Sequence, residues 1–133
     1  MDEFEEIIDV LVRKIELSDD RYVLVINGKY QLVVDADCCS ETWIEHIIGV
    51  KQLLGSKIRS VKRLEFPSEY IECLTKAEPS ADYTQYYGLA ITSRNGQMII
   101  DFRNRSNGYY GGSIQLLISE KIPSNLRLIT EDE

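Results

Sequence analysis

The sequence predicts an α+β domain built on a curved, mostly antiparallel sheet of about five to seven strands, with one or two short helices. Three observations carry that expectation. Two Asn-Gly pairs, Asn27-Gly28 and Asn95-Gly96, each stand between runs of β-prone residues. Asn-Gly supplies the two positive φ angles of a type I′ hairpin turn. Ile114, Leu116 and Ile118 alternate with Ser113, Gln115 and Leu117, as a half-buried strand does. The 133 residues, 44% hydrophobic and 28% charged, fit a single globular domain spanning 1–133.

Taken in order, residues 2–9 fit a short amphipathic helix with Phe4, Ile7 and Ile8 inward, and Val10 to Leu17 reads as a strand. The first hairpin runs from Arg21 to Ile26, turns at Asn27-Gly28 and returns from Lys29 to Asp35. A two-residue turn pairs Val25 with Tyr30 and Val23 with Leu32 on one face, leaving Tyr22, Leu24, Ile26, Lys29, Gln31 and Val33 on the other. Ile44, Ile47, Ile48 and Leu54 fit helical spacing, but Gly49 would cost a helix interior about 1 kcal/mol. A strand followed by a helical turn fits equally well, and the sequence leaves 41–48 open between the two.

Lys57 to Phe66 reads as a strand ending at Pro67, Ser68 to Ala77 as a short capped helix or irregular segment, and Ala81 to Gln85 as loop. The second hairpin, Tyr86 to Arg94 and Gln97 to Arg105, puts Tyr87, Leu89, Ile91, Met98, Ile100 and Phe102 on the core face. Ala90, Thr92, Arg94, Gln97, Ile99, Asp101 and Arg103 then face mostly water. After a Ser106-Asn107-Gly108 turn, the strand through Ile118 is expected beside this hairpin. Pro123 and an acidic tail, flexible from about residue 124, are expected to end the ordered structure.

Charge narrows the function classes. Against 15 basic residues stand 22 acidic ones, a formal net charge of -7. Affinity for a phosphate backbone comes largely from Lys and Arg, so general nucleic-acid binding is disfavoured. The acids gather at the ends, in Asp2, Glu3, Glu5, Glu6 and Asp9 and in Glu131, Asp132 and Glu133. Lys51, Lys57, Arg59, Lys62 and Arg63 form a local basic stretch, read first as a solvated strand edge and second as a small positive patch. No apolar run approaches the roughly 18 residues of a membrane-spanning helix, and the N-terminus is acidic where a secretory signal is basic. A cytoplasmic protein with no membrane partner is expected. The three cysteines are odd in number and too few for a disulfide framework. Cys38 and Cys39 are adjacent, and Cα atoms about 3.8 Å apart would strain a bridge between them.

Reactive side chains concentrate between Asp35 and His46. A thiolate of Cys38 or Cys39 with His46 as base is one reading, and zinc held by the two cysteines, His46 and a carboxylate is another. Adjacent side chains diverge on an extended backbone, and the nearby carboxylates oppose thiolate formation. The cysteines are therefore expected to be packing residues at a turn, with no metal or other cofactor. His46 is the only histidine, so any imidazole base must be this one. Glu41 and Glu45 stand four apart, as paired acid and base carboxylates on a helix or as a plain solvated face. Trp43 is a core or rim residue whose indole N–H wants an acceptor. The glycine-rich run from Gly108 to Ser113 leads into a strand, where a phosphate-cradling loop leads into a helix. An exposed Tyr109 or Tyr110 near Arg103 and Arg105 would stack on a base or anchor a protein; the plainer role is to cover the sheet end.

The run Asp37-Cys38-Cys39-Ser40-Glu41-Thr42-Trp43-Ile44-Glu45-His46-Ile47-Ile48-Gly49, with Leu53-Leu54-Gly55-Ser56-Lys57-Ile58 and Ser106-Asn107-Gly108-Tyr109-Tyr110 after it, resembles a family of small phage and bacterial domains of unknown function. The pattern extends over most of the chain. Val34, Ser40 and His46 depart from it, standing where that family favours a histidine and two acidic residues. The resemblance implies a fold more than an activity, and its phage members point toward acting on host proteins.

The function expected is a noncatalytic protein-interaction module, a phage-encoded or defence-related accessory protein with an unknown protein partner. Its candidate surface is Asp37, Cys38, Cys39, Glu41, Trp43, Glu45, His46, Arg103, Tyr109 and Tyr110. A small-ligand or nucleotide binder using Tyr109, Tyr110, Arg103 and Trp43 ranks second, and a Cys-dependent or metal-assisted enzyme third. Nothing in the sequence specifies an oligomeric state.

Overall fold

Alternation gives each hairpin one face that water rejects, and two such faces can bury each other. That is the arrangement found. The computed structural model describes residues 3–36, 40–65, 83–106 and 112–133. Asp37, Cys38, Cys39, Tyr109 and Tyr110, the Ser68 to Ala77 segment and the Asn107-Gly108 turn lie outside the described residues. The strands are β1 (Ile15–Ser18), β2 (Val23–Ile26), β3 (Tyr30–Ala36), β4 (Glu41–Ile48), β5 (Ile58–Glu65), β6 (Tyr83–Ser93), β7 (Gly96–Ser106), β8 (Gly112–Ile118) and β9 (Leu126–Ile129). They form a five-stranded sheet, in the order β8-β3-β2-β1-β9, and a four-stranded sheet, β4-β7-β6-β5. Every pairing among them is antiparallel. The single sheet of five to seven strands is thus corrected to two sheets, accompanied among the described residues by one short helix, α1 (Val50–Leu53), and a 3-10 turn at Glu5–Ile7.

Leu17, Leu24, Ile26, Leu32 and Ile114 from the first sheet share one buried cluster with Ile44, Ile47, Leu89, Ile91, Met98, Ile100 and Phe102 from the second. Phe4, Ile7 and Leu53 belong to the same cluster. Tyr87 stacks on Phe102 with ring centroids 5.2 Å apart. Burial of side chains from both sheets is the dominant favourable term holding them together.

The first hairpin departs from its expected register by one residue. Asn27 (φ 56°) and Gly28 (φ 71°) adopt the positive angles of the turn, but Ile26 pairs with Tyr30 and Leu24 with Leu32. Lys29 is the extra residue. With a side-chain period of two, one residue of slip regroups the faces, so Leu24 and Ile26 share the core face with Leu32, while Val23 and Val25 share the other with Gln31 and Val33. Asn27 also ties the loop to the preceding segment: its Oδ1 accepts the Arg13 amide at 2.7 Å, and its Nδ2 donates to the Leu11 carbonyl at 2.7 Å. That segment is irregular, and the strand expected over Val10 to Leu17 is reduced to β1.

The second hairpin slips by two residues, pairing Ile91 with Met98 and Leu89 with Ile100 around an Arg94-Asn95 turn. An even slip keeps the faces, so the expected core side chains are inward. The strand begins at Tyr83, so Tyr83 to Gln85, expected as loop, is strand. For 41–48 the strand reading holds, followed by α1. The helix expected over residues 2–9 is only the 3-10 turn.

Two corrections concern the C-terminal third. β8 pairs with β3 in the first sheet, not with the second hairpin. Beyond Pro123 the chain forms β9, paired with β1. Residues 119–125 join β8 and β9, the two edges of the first sheet. The Gln31 amide donates to the carbonyls of Ser119 (2.8 Å) and Lys121 (3.1 Å), so the connection crosses the outer face, where Val25, the register partner of Gln31, is fully buried.

Candidate functional site

A β-bulge in β4 organises the surface around Trp43. Ile44 pairs with Phe102 and His46 with Asp101, which leaves Glu45 as the extra residue. Bulges interrupt the ladder and leave backbone groups to be satisfied elsewhere. Here Arg21 satisfies them: its Nε donates to the Ile44 carbonyl at 2.6 Å and its Nη2 to the Glu45 carbonyl at 2.9 Å. Arg21 itself sits at φ 63°, and its carbonyl accepts the Ile44 amide at 2.8 Å. One residue between β1 and β2 thus stitches the first sheet to the second at the bulge.

With Ile44 and Ile47 inward, Trp43 and Glu45 lie on the outer face. The half-buried Trp43 indole donates to Glu45 Oε2 at 2.6 Å. Across the ladder Trp43 pairs with Arg103, and Arg103 with Tyr86 on β6. The Arg103 guanidinium lies 4.9 Å from the Tyr86 ring centroid, and that of Arg105 lies 5.5 Å from the Trp43 ring, both cation–π distances. Arg103 also meets Asp101 at 3.1 Å and Glu45 at 3.8 Å. Partial burial works against the Arg103 charge, but the Asp101 hydrogen bond and the fields of Asp101 and Glu45 outweigh it and raise the pKa above its ordinary value. Beside this cluster Tyr22 donates to Glu41 at 3.1 Å, and that bond raises the phenol pKa. A shallow groove of about 360 Å³ runs past Glu41 between β3 and β4.

Of the sequence candidates, Glu41, Trp43, Glu45 and Arg103 are therefore assembled on neighbouring strands. His46 is exposed one position past the bulge, paired in register with Asp101. For the Asp37 to Cys39 and Tyr109-Tyr110 segments the described residues give the stems. Ala36 pairs with Gly112, and Asn104 Nδ2 donates to Ser40 Oγ (3.1 Å) and Thr42 Oγ1 (2.9 Å). Both stems leave the sheets at the same end. Asn104 is fully buried there, and its Oδ1 has no partner among the described residues. Among the described residues no group of three or more His, Cys, Asp or Glu is arranged to hold a metal ion.

Sequence reasoning missed Arg21 and Tyr86 as site residues and named Arg105 only as a neighbour of Tyr109 and Tyr110. Tyr86 and Arg105 share the parity of Arg103 about the hairpin, a signal available in the alternation once the faces were assigned. Arg21 offered none, because its role depends on where the two sheets meet.

The model of a domain family, DUF7448, matches residues 6–116. The chain belongs to the DUF7448 family, a domain of unknown function. Every residue of the Trp43 cluster falls inside the match, whereas β9 and the C-terminal residues lie beyond it. No curated protein and no solved structure matches the chain. Among the described residues no helix is long and apolar enough to cross a membrane.

Proposed function

We propose that this DUF7448 domain is a noncatalytic protein-interaction module whose outer β4-β7-β6 face receives a basic protein partner. The observation that carries the reading is the Trp43-Glu45-Arg103-Tyr86 cluster. Trp, Tyr and Arg dominate binding hot spots because they bring large contact area, and here hydrogen bonds and ring stacking already hold them in place. Preorganised side chains lose little entropy on docking. The carboxylates of Glu41, Glu45 and Asp101 on this surface, with the formal charge of -7, favour encounter with a positively charged partner. A phage-encoded or defence-related accessory role is part of the proposal, supported by the resemblance to phage domains.

The test compares immobilised wild type, Trp43→Ala, Arg103→Ala and Lys62→Ala in capture from the native cell, followed by affinity measurement on the purified partner. Expected is a partner that Trp43→Ala and Arg103→Ala each weaken about tenfold or more. Lys62→Ala should bind as wild type. A partner held equally by all four proteins, or no saturable partner, overturns the proposal.

A further inference from the structure

We infer that the cleft where the Gly55-Ser56-Lys57 turn meets the β6-β7 turn binds the phosphate groups of a small phosphorylated molecule. Three cations line it: Lys57, Arg59 and Arg94. None of the three takes part in an ion pair among the described residues. Among the described residues the one carboxylate in the lining is Asp9, so the three cations outnumber it in a chain of formal charge -7. Unpaired like charges gathered in a concavity repel each other, and an anion converts that cost into affinity.

The arrangement comes from the fold, not from a run of neighbours. Ile58 pairs with Ser93, which brings the start of β5 beside the Arg94-Asn95 turn, and a bulge between Ile58 and Ser60 re-aims Arg59. Asn95 Nδ2 clamps the two turns by donating to Ser56 Oγ at 2.6 Å, and within the β6-β7 turn the Asn95 amide donates to Ser93 Oγ at 3.2 Å. Because Ser56 Oγ accepts from Asn95, its own hydrogen can be offered to an anion. The cleft has a volume of about 590 Å³, within the range of roughly 300–1,000 Å³ that small-molecule sites occupy.

Among the described residues the lining contains no aromatic ring, so the chemistry selects phosphate and not a base. An extended polynucleotide needs a cationic track beyond one cleft, and the acidic remainder of the chain opposes it. Arg94 lies at the Gly96 end of β7 and Arg103 seven residues along it, about 24 Å away at strand rise. Trp43→Ala should therefore leave phosphate binding unchanged, and failure here is separate from failure of the protein-docking reading.

Calorimetric titration of the full chain with sodium tripolyphosphate tests the inference. Saturable one-to-one binding is expected, weakened about tenfold or more by Arg94→Ala and by Lys57→Ala, since each removes a charge-assisted contact. Lys62→Ala, on β5 with Arg59 but outside the cleft, should stay within about twofold. A nucleoside triphosphate bound about equally marks recognition of phosphate alone, and one bound much more tightly marks nucleotides as the source; either supports the site. Absence of saturable binding at millimolar tripolyphosphate overturns it. So does a short duplex bound more tightly than tripolyphosphate with a steep salt dependence, and so does unaltered affinity in both Arg94→Ala and Lys57→Ala.

Discussion

Gly49 and Gly55 separate two costs that a Gly-to-Ala change usually mixes. Both adopt left-handed backbone, φ 89° and φ 79°. An alanine held there costs about 1–2 kcal/mol in backbone energy, partly offset by the lower entropy of its unfolded chain. At Gly55 a Cβ meets nothing within 4 Å, so only this conformational term applies. At Gly49 a Cβ would stand 2.2 Å from the Gln97 carbonyl oxygen. Backbone on backbone cannot swing aside, so β4 must move about 1 Å away from β7, at an added cost of about 1–3 kcal/mol of the kind overpacking exacts. The same movement disturbs the Gly49 and Val50 amides, which donate to Asp132 Oδ1 at 2.8 and 3.1 Å. Gly49→Ala is expected to lose about 2 kcal/mol more than Gly55→Ala. Equilibrium urea unfolding measures this. With a slope of about 1.5 kcal/mol/M the two midpoints should differ by more than 1 M. Midpoints within about 0.3 M of each other would refute the steric argument.

Further outcomes follow from the same contacts. Trp43 is the only tryptophan, so its fluorescence reports the site directly: Glu45→Ala should shift the emission maximum as the indole loses its 2.6 Å acceptor, and an unchanged spectrum would remove Glu45 from the cluster. Hydrogen bonds from Ser18 to Asp20 and from Arg127 to Glu133 hold these carboxyls below their ordinary values of 3.8 and 4.5. Carboxyls depressed in the folded state contribute stability that is full above those ordinary values and lost as pH falls through the folded ones. The urea midpoint should therefore drop on acidification below about pH 4.5, less steeply in Asp20→Asn; an identical acid slope in that variant would count against the assignment. Asp132→Ala removes the acceptor of the Gly49 and Val50 amides, and a loss of about 1 kcal/mol is expected with tripolyphosphate affinity retained. An Asp132→Ala variant as stable as wild type would show that contact to be idle.

What the sequence revealed, and what it concealed, has one physical origin. Alternation reports which face a side chain takes but not which strand lies beside it. The second hairpin could therefore be read two residues out of register and still yield Leu89, Ile91, Met98, Ile100 and Phe102 as core. The first hairpin, one residue out, groups Leu32 with the wrong residues of β2 despite a correct turn, because Asn27-Gly28 sets the turn angles while Lys29 sets the count. β8 was assigned the right residues and the wrong neighbour for the same reason. Of the site, Trp43, Glu45 and Arg103 were legible as residue types that need partners, and the strand reading of 41–48 is what brings them within reach. Arg21 was illegible, since its hydrogen bonds exist only once two sheets have met.

The bulge at Glu45 ties these levels together. Without an extra residue, strict alternation from Ile44 would carry the parity of Trp43 to Glu45 but place Ile47 outward and His46 inward. The fold instead buries Ile47 and exposes His46. One inserted residue thus keeps Ile47 in the core and opens two carbonyls to Arg21, while Glu45 meets both the Trp43 indole and Arg103. The irregularity costs ladder hydrogen bonds that Arg21 replaces, and local irregularity so compensated is common where a surface is shaped for binding. Arg21→Lys keeps the charge but cannot donate in a fork, so it should loosen the bulge and weaken partner binding without altering any side chain of the docking face. If Arg21→Lys leaves both the Trp43 emission and the partner affinity as in wild type, the bulge is only a packing adjustment in β4.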